Sequence, residues 1–213
     1  MAKQFMQADL SNHQSVSSGT GRKRPKPGER RLQILQTIAS MLQDGSSEKV
    51  TTAALAAKLS LSEAALYRHF ASKAQMYEGL LDFVEETIFG LINQIEAKPA
   101  QAIAKARDIV LMLLNFAEKN PGMTRVLIGD AIVNEDGRLQ LRVNQLLDRV
   151  EASLRQSLRL HDAENGSGAE REASVRAHVA LCYVQGVWLQ FAKSGFRKLP
   201  TSSAEGAVKI LLS

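Results

Sequence analysis

The chain has 213 residues, of which 45% are hydrophobic and 23% charged, and it contains one cysteine. This length suffices to bury a core without covalent cross-links, and a single cysteine excludes an internal disulfide. No apolar run approaches the roughly 18 residues of a membrane-spanning helix, and the N-terminus lacks the apolar core of a secretory signal. The composition therefore predicts a soluble cytoplasmic protein.

The net charge of +5 is concentrated at the N-terminus. Residues 1–31 contain seven basic side chains and two acidic ones, whereas the charges of the remaining chain are balanced. Residues 1–27 are rich in Ser, Gly, Lys and Pro and show no periodicity, which predicts a disordered basic arm. Such an arm either contacts nucleic acid or remains a solvated tail, and an adjacent DNA-binding domain would favour the first alternative.

The remaining chain is predicted to form a succession of helices. The first is predicted from about Gly28 to Asp44, with one apolar face formed by Leu32, Leu35, Ile38 and Leu42. The following ones are predicted over residues 52–58, 62–70, 72–96, 101–118, 121–133, 138–160, 170–194 and 203–212. Ser72 opens a capping box, and Asn120 is placed as the N-cap before a proline. No segment shows sustained period-2 alternation, so the predicted fold is all-α with some nine helices.

Residues 51–73, TTAALAAKLSLSEAALYRHFASK, carry the pattern of a helix-turn-helix. Two short helical patterns flank a tight break, an arrangement that places the second helix in the major groove of DNA. Leu66 and Phe70 are expected to face inward against Leu55, Leu59 and Leu61. An ordinary helical hairpin with a polar surface is the alternative. We therefore divide the chain into the arm, a DNA-binding domain over residues 28–72 and a helical body over residues 73–213.

The second helix has the small and polar residues that DNA contact requires. Ser62 or Glu63 could hydrogen-bond a base, and Ala64 or Ala65 could contact a thymine methyl group. Phosphate contacts are expected from side chains at the helix ends, where free backbone N–H groups also point at anions. These candidates are Thr51, Thr52, Tyr67, Arg68, His69 and Lys73.

The segment S-E-A-A-L-Y-R-H-F-x-S-K, preceded by T-T-A-x-L-A-A and followed by a long helix, resembles the TetR family of dimeric bacterial DNA-binding proteins. The resemblance implies a three-helix head and a body of about six helices that forms a homodimer. Because one head reads one half-site, palindromic double-stranded DNA is the expected partner. Ser60 departs from the family pattern, since a glycine often occupies this turn position.

Two segments of the body, residues 120–127 and 138–146, resemble the nucleoid occlusion factors of this family. That resemblance implies a nucleoid-associated, DNA-activated inhibitor of cell division that binds FtsZ and disrupts its polymers. It also implies a groove for the tail of FtsZ, to which Phe83, Lys119 and Asn120 are matched. Leu91 stands where a basic residue is expected. Ordinary packing or solvation is the alternative for each residue.

The last long helix is the candidate dimer interface. Gly186 permits close helix approach. The apolar or small residues assigned to this face are Val175, Val179, Cys182, Tyr183, Gly186, Val187 and Phe191, continued by Val208, Ile210 and Leu211. The alternative is that this helix belongs to the core of the monomer.

Two other functions are alternatives for the body. A ligand-responsive TetR-type transcriptional repressor would need an effector pocket between the helices over 101–118 and 138–160, yet these are apolar and offer only Asn115 to orient a ligand. An enzyme is not indicated, because the four histidines lie in unrelated segments without metal-ligand spacing. No metal or cofactor is predicted. Cys182 lacks a basic neighbour in sequence and is expected to be a small buried group.

Overall fold

The computed structural model describes residues 28–44, 50–164, 166 and 170–212. The predicted basic arm over residues 1–27 and most of the predicted loop over 164–168 lie outside these ranges. The described parts contain α-helices and one 3-10 turn but no strand, so the all-α prediction is confirmed. The helices are α1 (Glu29–Gln43), α2 (Thr52–Leu59), α3 (Glu63–Tyr67), α4 (Lys73–Glu96), α5 (Ala102–Lys119), α6 (Pro121–Leu127), α7 (Gly137–Glu164), α8 (Glu170–Lys193) and α9 (Ala204–Leu211), with the 3-10 turn at Asp130–Ile132.

Helices α1, α2 and α3 form the head. Their inward residues are fully or nearly fully buried, namely Ile34, Leu35, Ile38, Leu42, Leu55, Leu59, Leu66 and Phe70. Helix α3 is shorter than predicted, because the chain tightens after Tyr67 and the N–H of His69 bonds to the carbonyl of Leu66 three residues earlier. Arg31 closes this end, since its guanidinium donates to the His69 carbonyl at 2.9 Å and lies 4.0 Å from the centre of the Phe70 ring.

The turn between α2 and α3 depends on a left-handed residue. Ser60 has φ 53° and ψ 47°, the conformation that favours glycine because a Cβ atom is strained there. The N–H of Leu61 reaches back to the carbonyl of Ala56 at 2.9 Å, which closes the end of α2. Ser60 therefore forms the turn, although glycine would adopt this left-handed conformation with less strain.

Helix α4 joins the head to the body. The Ser72 hydroxyl accepts from the N–H of Gln75 at 3.1 Å, as the capping box predicts. The Gln75 amide oxygen accepts from Ala71 rather than from Ser72, so the reciprocal bond is made one residue earlier. Helix α4 then packs against α5 and α7, and its inward residues belong to the same hydrophobic core as those of the head.

Head and body also meet where α1 crosses the start of α6. A Cβ atom on Gly122 would overlap the carbonyl of Ala39, so the two backbones touch directly at this point. Arg125 of α6 donates to the carbonyl of Leu42 near the end of α1, at 3.3 Å. Two specific contacts therefore hold the head against the body in the DNA-free protein.

Asn120 occupies the N-cap position of α6, and Pro121 is the first helical residue, as predicted. The Asn120 side chain makes no capping bond to α6; instead its amide donates to the carbonyl of Phe116 at 2.8 Å and satisfies the end of α5. The first turn of α6 is held by Thr124, whose hydroxyl donates to the carbonyls of Asn120 and Ala117 at 3.0 and 3.2 Å. The helix also ends at Leu127, short of the predicted residue 133, because Gly129 turns the chain with φ 82°.

Candidate nucleic-acid interface

The structure brings most of the predicted DNA contacts to one exposed surface of the head. Helix α3 buries Leu66 and presents its opposite side to solvent. The exposed residues of this side are Ser62, Glu63, Ala64, Tyr67, Arg68 and His69. Ala65 is half-buried, and Tyr67 keeps 44% of its surface exposed. A helix with small residues at its exposed start can approach base edges closely, which is the geometry that major-groove reading requires.

The hydroxyls at the helix starts already have a structural role. Thr51 accepts from the N–H of Ala54 at 3.1 Å, and Ser62 accepts from the N–H of Ala65 at 3.2 Å. Such N-caps use only an acceptor position of the oxygen, so the O–H of each hydroxyl remains a donor. Thr51 can therefore cap its helix while it donates to phosphate, and Ser62 can cap its helix while it donates to a base.

A hydrogen bond joins the exposed starts of α2 and α3. The Thr52 hydroxyl donates to the Glu63 carboxylate at 2.5 Å. This bond fixes the two helices relative to one another, but it also places a negative charge on the predicted DNA surface. Glu63 is thus engaged within the head in the DNA-free protein, rather than pointing freely toward a base.

Lys73 lies beside the start of α2. With Thr51 and Thr52 it lines one narrow crevice, so three of the predicted phosphate contacts are neighbours. Its ammonium forms an ion pair of 2.5 Å with Glu135 and lies 5.8 Å from the centre of the Tyr77 ring. Lys73 therefore has an acidic partner from the body, which the sequence did not indicate.

The candidate dimer face on α8 is partly exposed. Val175, Val179, Cys182 and Leu189 recur at helical spacing along α8 and are exposed, with Val179 at 45%. Exposed Ile210 continues the apolar surface on α9. Gly186, Tyr183 and Val187 are half-buried, and a Cβ on Gly186 would meet no atom within 4 Å.

Two residues assigned to that face are in the monomer core instead. Phe191 and Val208 are each 1% exposed, and the Phe191 ring packs edge-on against Phe196 at 5.1 Å. Trp188, between the exposed positions, is also buried and donates to the carbonyl of Leu113 at 3.2 Å. Helix α8 therefore has one side in the monomer core and one side exposed to solvent.

The candidate partner groove needs one correction. Phe83 is 6% exposed and belongs to the core, so its ring cannot serve as a surface for a partner. Lys119 and Asn120 do lie at a groove, of about 590 Å³, between α1 and the junction of α5 with α6. Its other lining residues are mainly polar and include Gln33, Gln36, Thr37, Ser40, Lys58 and Met123, but not Phe83.

The expectation for Cys182 is also wrong. Its side chain is exposed, and its sulfur lies 3.5 Å from Nε2 of His178, one helical turn earlier. Nδ1 of His178 lies 3.1 Å from the Glu151 carboxylate. Both ring nitrogens of His178 are thus engaged, and no three His, Cys, Asp or Glu side chains of the described residues converge as metal ligands.

Sequence reasoning missed two residues that shape the DNA surface. Arg31 was counted only as a basic charge, yet it holds the end of α3 through His69 and Phe70. Glu135 was not singled out, because its partner Lys73 lies 62 positions away in the sequence. The residues that periodicity and capping rules could identify are those whose partners are near in sequence.

An exposed second helix on a three-helix head, carried by a long helical body, is the arrangement of a helix-turn-helix DNA-binding protein. No helix within the described ranges combines the length and apolar character needed to cross a membrane. Residues 34–80 match the family "Bacterial regulatory proteins, tetR family", and residues 100–213 match an SlmA-like "Tetracyclin repressor-like, C-terminal domain". The chain belongs to the TetR family of bacterial regulatory proteins.

Curated relatives resemble the chain over most of its length. It is 44% identical to the nucleoid occlusion factor SlmA of Alteromonas mediterranea, over 83% of this chain and 90% of that protein. It is 44% identical to SlmA of Idiomarina loihiensis, over 81% and 88%, and 42% identical to SlmA of Cronobacter sakazakii, over 85% and 92%. These matches include both the head and the body.

Solved structures with the same fold are more distant in sequence. The fatty acid degradation regulator FadR of Bacillus halodurans superposes with a TM-score of 0.70 at 14% identity, covering 89% of this chain and 97% of that one. The TetR family regulator PfmR of Thermus thermophilus superposes with a TM-score of 0.69 at 22% identity, covering 84% and 96%. At these identities the likeness concerns the fold alone.

Proposed function

We propose that the protein is a nucleoid occlusion factor. In this role it binds chromosomal DNA through its helix-turn-helix, and in the DNA-bound state it binds FtsZ and disrupts FtsZ polymers. The observation that carries the proposal is the 44% identity to a nucleoid occlusion factor over 83% of the chain. This match spans the body as well as the DNA-binding head, and within a family of DNA-binding proteins the body distinguishes one function from another.

The proposal includes a homodimer on palindromic DNA. A single head reads one half-site, and a two-fold dimer presents two heads to related half-sites. The exposed apolar positions along α8 and Ile210 of α9, which is 78% exposed, supply a surface that a second copy would bury.

Val179→Asp is expected to shift sedimentation equilibrium toward monomer, whereas Val133→Asp, at an exposed valine outside this face, should not. A dimer unchanged by Val179→Asp would contradict this interface.

We further propose that the groove beside Lys119 and Asn120 receives FtsZ. It has a cationic side chain at its rim, polar walls and the apolar side chain of Met123 at its base. Because its walls come from α1 of the head and from the α5–α6 junction of the body, movement of the head on DNA would change its width. This arrangement gives a physical route by which DNA could activate partner binding.

The groove can be tested separately from DNA binding. Lys119→Glu reverses the charge at the rim, and we expect it to reduce the loss of FtsZ polymers while leaving affinity for a DNA site unchanged. Lys209→Glu, at an exposed position of α9, makes the same charge change away from the groove and is the matched control. Equal effects of the two variants on FtsZ polymers would refute the groove as the FtsZ-binding site and leave the DNA-binding proposal intact.

The interior of the body gives little support to the alternative of a ligand-released repressor. The facing sides of α5 and α7 are filled with buried aliphatic side chains, including Ile109, Leu113, Val143, Val150 and Leu154. Asn115, the residue considered for orienting a ligand, is exposed. A buried ligand needs convergent polar groups, and these aliphatic side chains supply none.

A genome-wide map of bound DNA separates these functions. Many sites spread over the chromosome and sparse around the replication terminus are expected for a nucleoid occlusion factor. One or two promoter sites would instead indicate a transcriptional repressor and would contradict the proposal. The absence of any protected DNA would contradict both functions and indicate an interaction protein without DNA.

A further inference from the structure

An ion pair connects the DNA surface of the head to a loop of the body. Nζ of Lys73, the first residue of α4, lies 2.5 Å from Oε1 of Glu135. The two side chains are 25% and 18% exposed, so the pair is partly withdrawn from solvent. Charges in such a position are screened less by salt than a surface pair.

The loop that carries Glu135 is held in place by its own backbone conformation and hydrogen bonds. Gly129 and Asn134 both adopt positive φ, at 82° and 66°, on either side of the 3-10 turn. Asp130 binds Arg125 at 2.7 Å, and the N–H of Glu135 bonds to the carbonyl of Ile132 at 3.0 Å. The backbone therefore holds the Glu135 carboxylate toward the start of α4.

Lys73 also faces the position expected for DNA phosphate. It lies next to Thr51 and Thr52, and the start of their helix offers backbone N–H groups and hydroxyl donors at the protein surface. A phosphate bound there would be an anion competing with the carboxylate for the same ammonium group. An ammonium is a compact charge with three donors, and it can exchange one oxygen partner for another by rotating its flexible stem.

We propose that Glu135 is a positioning residue for DNA binding. In the free protein Glu135 holds the Lys73 ammonium group. In the complex, DNA phosphate takes the place of the Glu135 carboxylate as the partner of Lys73. The inference rests on the proposed contact between Lys73 and phosphate, and it adds a link from that contact to the body. When Lys73 moves to phosphate, Glu135 loses its partner, and the loop over residues 128–136 becomes less constrained.

If the Glu135 carboxylate and DNA phosphate compete for Lys73, removing the carboxylate should have opposite effects on stability and on DNA affinity. Glu135→Gln removes the ion pair, so the free protein should unfold at a lower temperature. The same variant should bind a DNA site more tightly at fixed salt, by roughly three- to tenfold, because phosphate no longer competes with a carboxylate. A residue with a purely structural role would lower stability and would weaken DNA binding or leave it unchanged.

A double-mutant cycle isolates the competition from the change in net charge. In the Lys73→Ala background, Glu135→Gln should tighten binding by less than about twofold, since only the long-range repulsion of phosphate is removed. Asp108→Asn is the charge-matched control: it removes a carboxylate that pairs with Lys98, at the far end of α4. That helix has 24 residues and is therefore about 36 Å long, several screening lengths at physiological salt.

The outcomes separate this inference from the function on which it rests. If Lys73→Ala leaves DNA affinity unchanged, the phosphate contact is wrong and the inference fails with it. If Lys73→Ala weakens binding but Glu135→Gln gives the same gain in both backgrounds, only the competition is refuted. Hydrogen exchange supplies the second readout: amides of residues 130–136 should exchange faster on DNA binding, and unchanged rates would overturn the proposed release of the loop.

Discussion

Gly122→Ala tests the contact between the head and the body. An added Cβ would overlap the Ala39 carbonyl oxygen and would lie 3.0 Å from its carbon and 3.3 Å from its Cα. All three are backbone atoms of α1, so no side-chain rotation relieves the clash. The two helices must separate by more than about 1 Å to reach ordinary van der Waals contact.

The cost has two sources. Overpacking of a close contact typically costs about 1–3 kcal/mol, and a clash with rigid backbone lies at the upper end. Separation of α1 from α6 would also stretch the bond of 3.3 Å from Arg125 to the Leu42 carbonyl, worth about 1 kcal/mol. The free energy of unfolding should fall by about 3 kcal/mol, and for a domain of this size the melting temperature should fall by roughly 6–12 °C.

Thermal unfolding at a fixed protein concentration measures this loss, with Gly90→Ala as the matched control. A Cβ on Gly90, within α4, would meet no atom within 4 Å. Because alanine forms helix better than glycine, by up to about 1 kcal/mol, the control should be unchanged or slightly stabilised. A melting temperature for Gly122→Ala within 1 °C of the control would refute the close crossing of α1 and α6.

Three further predictions concern the head and its junction with the body. Ser60→Gly should raise the free energy of unfolding by about 0.5–1 kcal/mol in denaturant titrations because it relieves the left-handed conformation, whereas Ser60→Ala should not. Burial, with a smaller contribution from Glu135, raises the pKa of Tyr77 from 10.0 to about 12. Since the unfolded chain loses this proton first, wild-type stability should fall between about pH 10 and 12, by on the order of 2 kcal/mol, and Tyr77→Phe should show a smaller fall. Arg68→Ala should weaken binding to all DNA sequences alike and reduce the steepness of the salt dependence by about 0.9, and an unchanged slope would contradict the phosphate contact.

The fold could be predicted from the sequence because its signals are local. Helix α4 was expected over residues 72–96 and covers Lys73–Glu96, since the Ser72 cap and the apolar periodicity mark both ends. The exposed side of α3 also followed from its neighbours, because burying Leu66 and Phe70 leaves Arg68 and His69 facing solvent. Periodicity and capping depend on residues within a few turns of one another.

The features that could not be predicted depend on distant parts of the chain. Phe83 fitted a pattern of partner-binding residues, but only the packing of α4 against other helices decides that its ring is buried. Cys182 is apolar and small, which favours burial, yet its position on α8 places it on the open side. The pairing of Lys73 with Glu135 joins residues that lie 62 positions apart in the sequence, and no local rule relates them.

Sedimentation of FtsZ polymers tests the central claim most directly. FtsZ would be assembled with GTP and centrifuged with the protein, in the presence and absence of a DNA site taken from the genome-wide map. The account predicts that pelleted FtsZ decreases with the protein, and decreases much more when the DNA site is present. Polymers that are unaffected at saturating DNA-bound protein would contradict nucleoid occlusion as the function of this TetR-family chain.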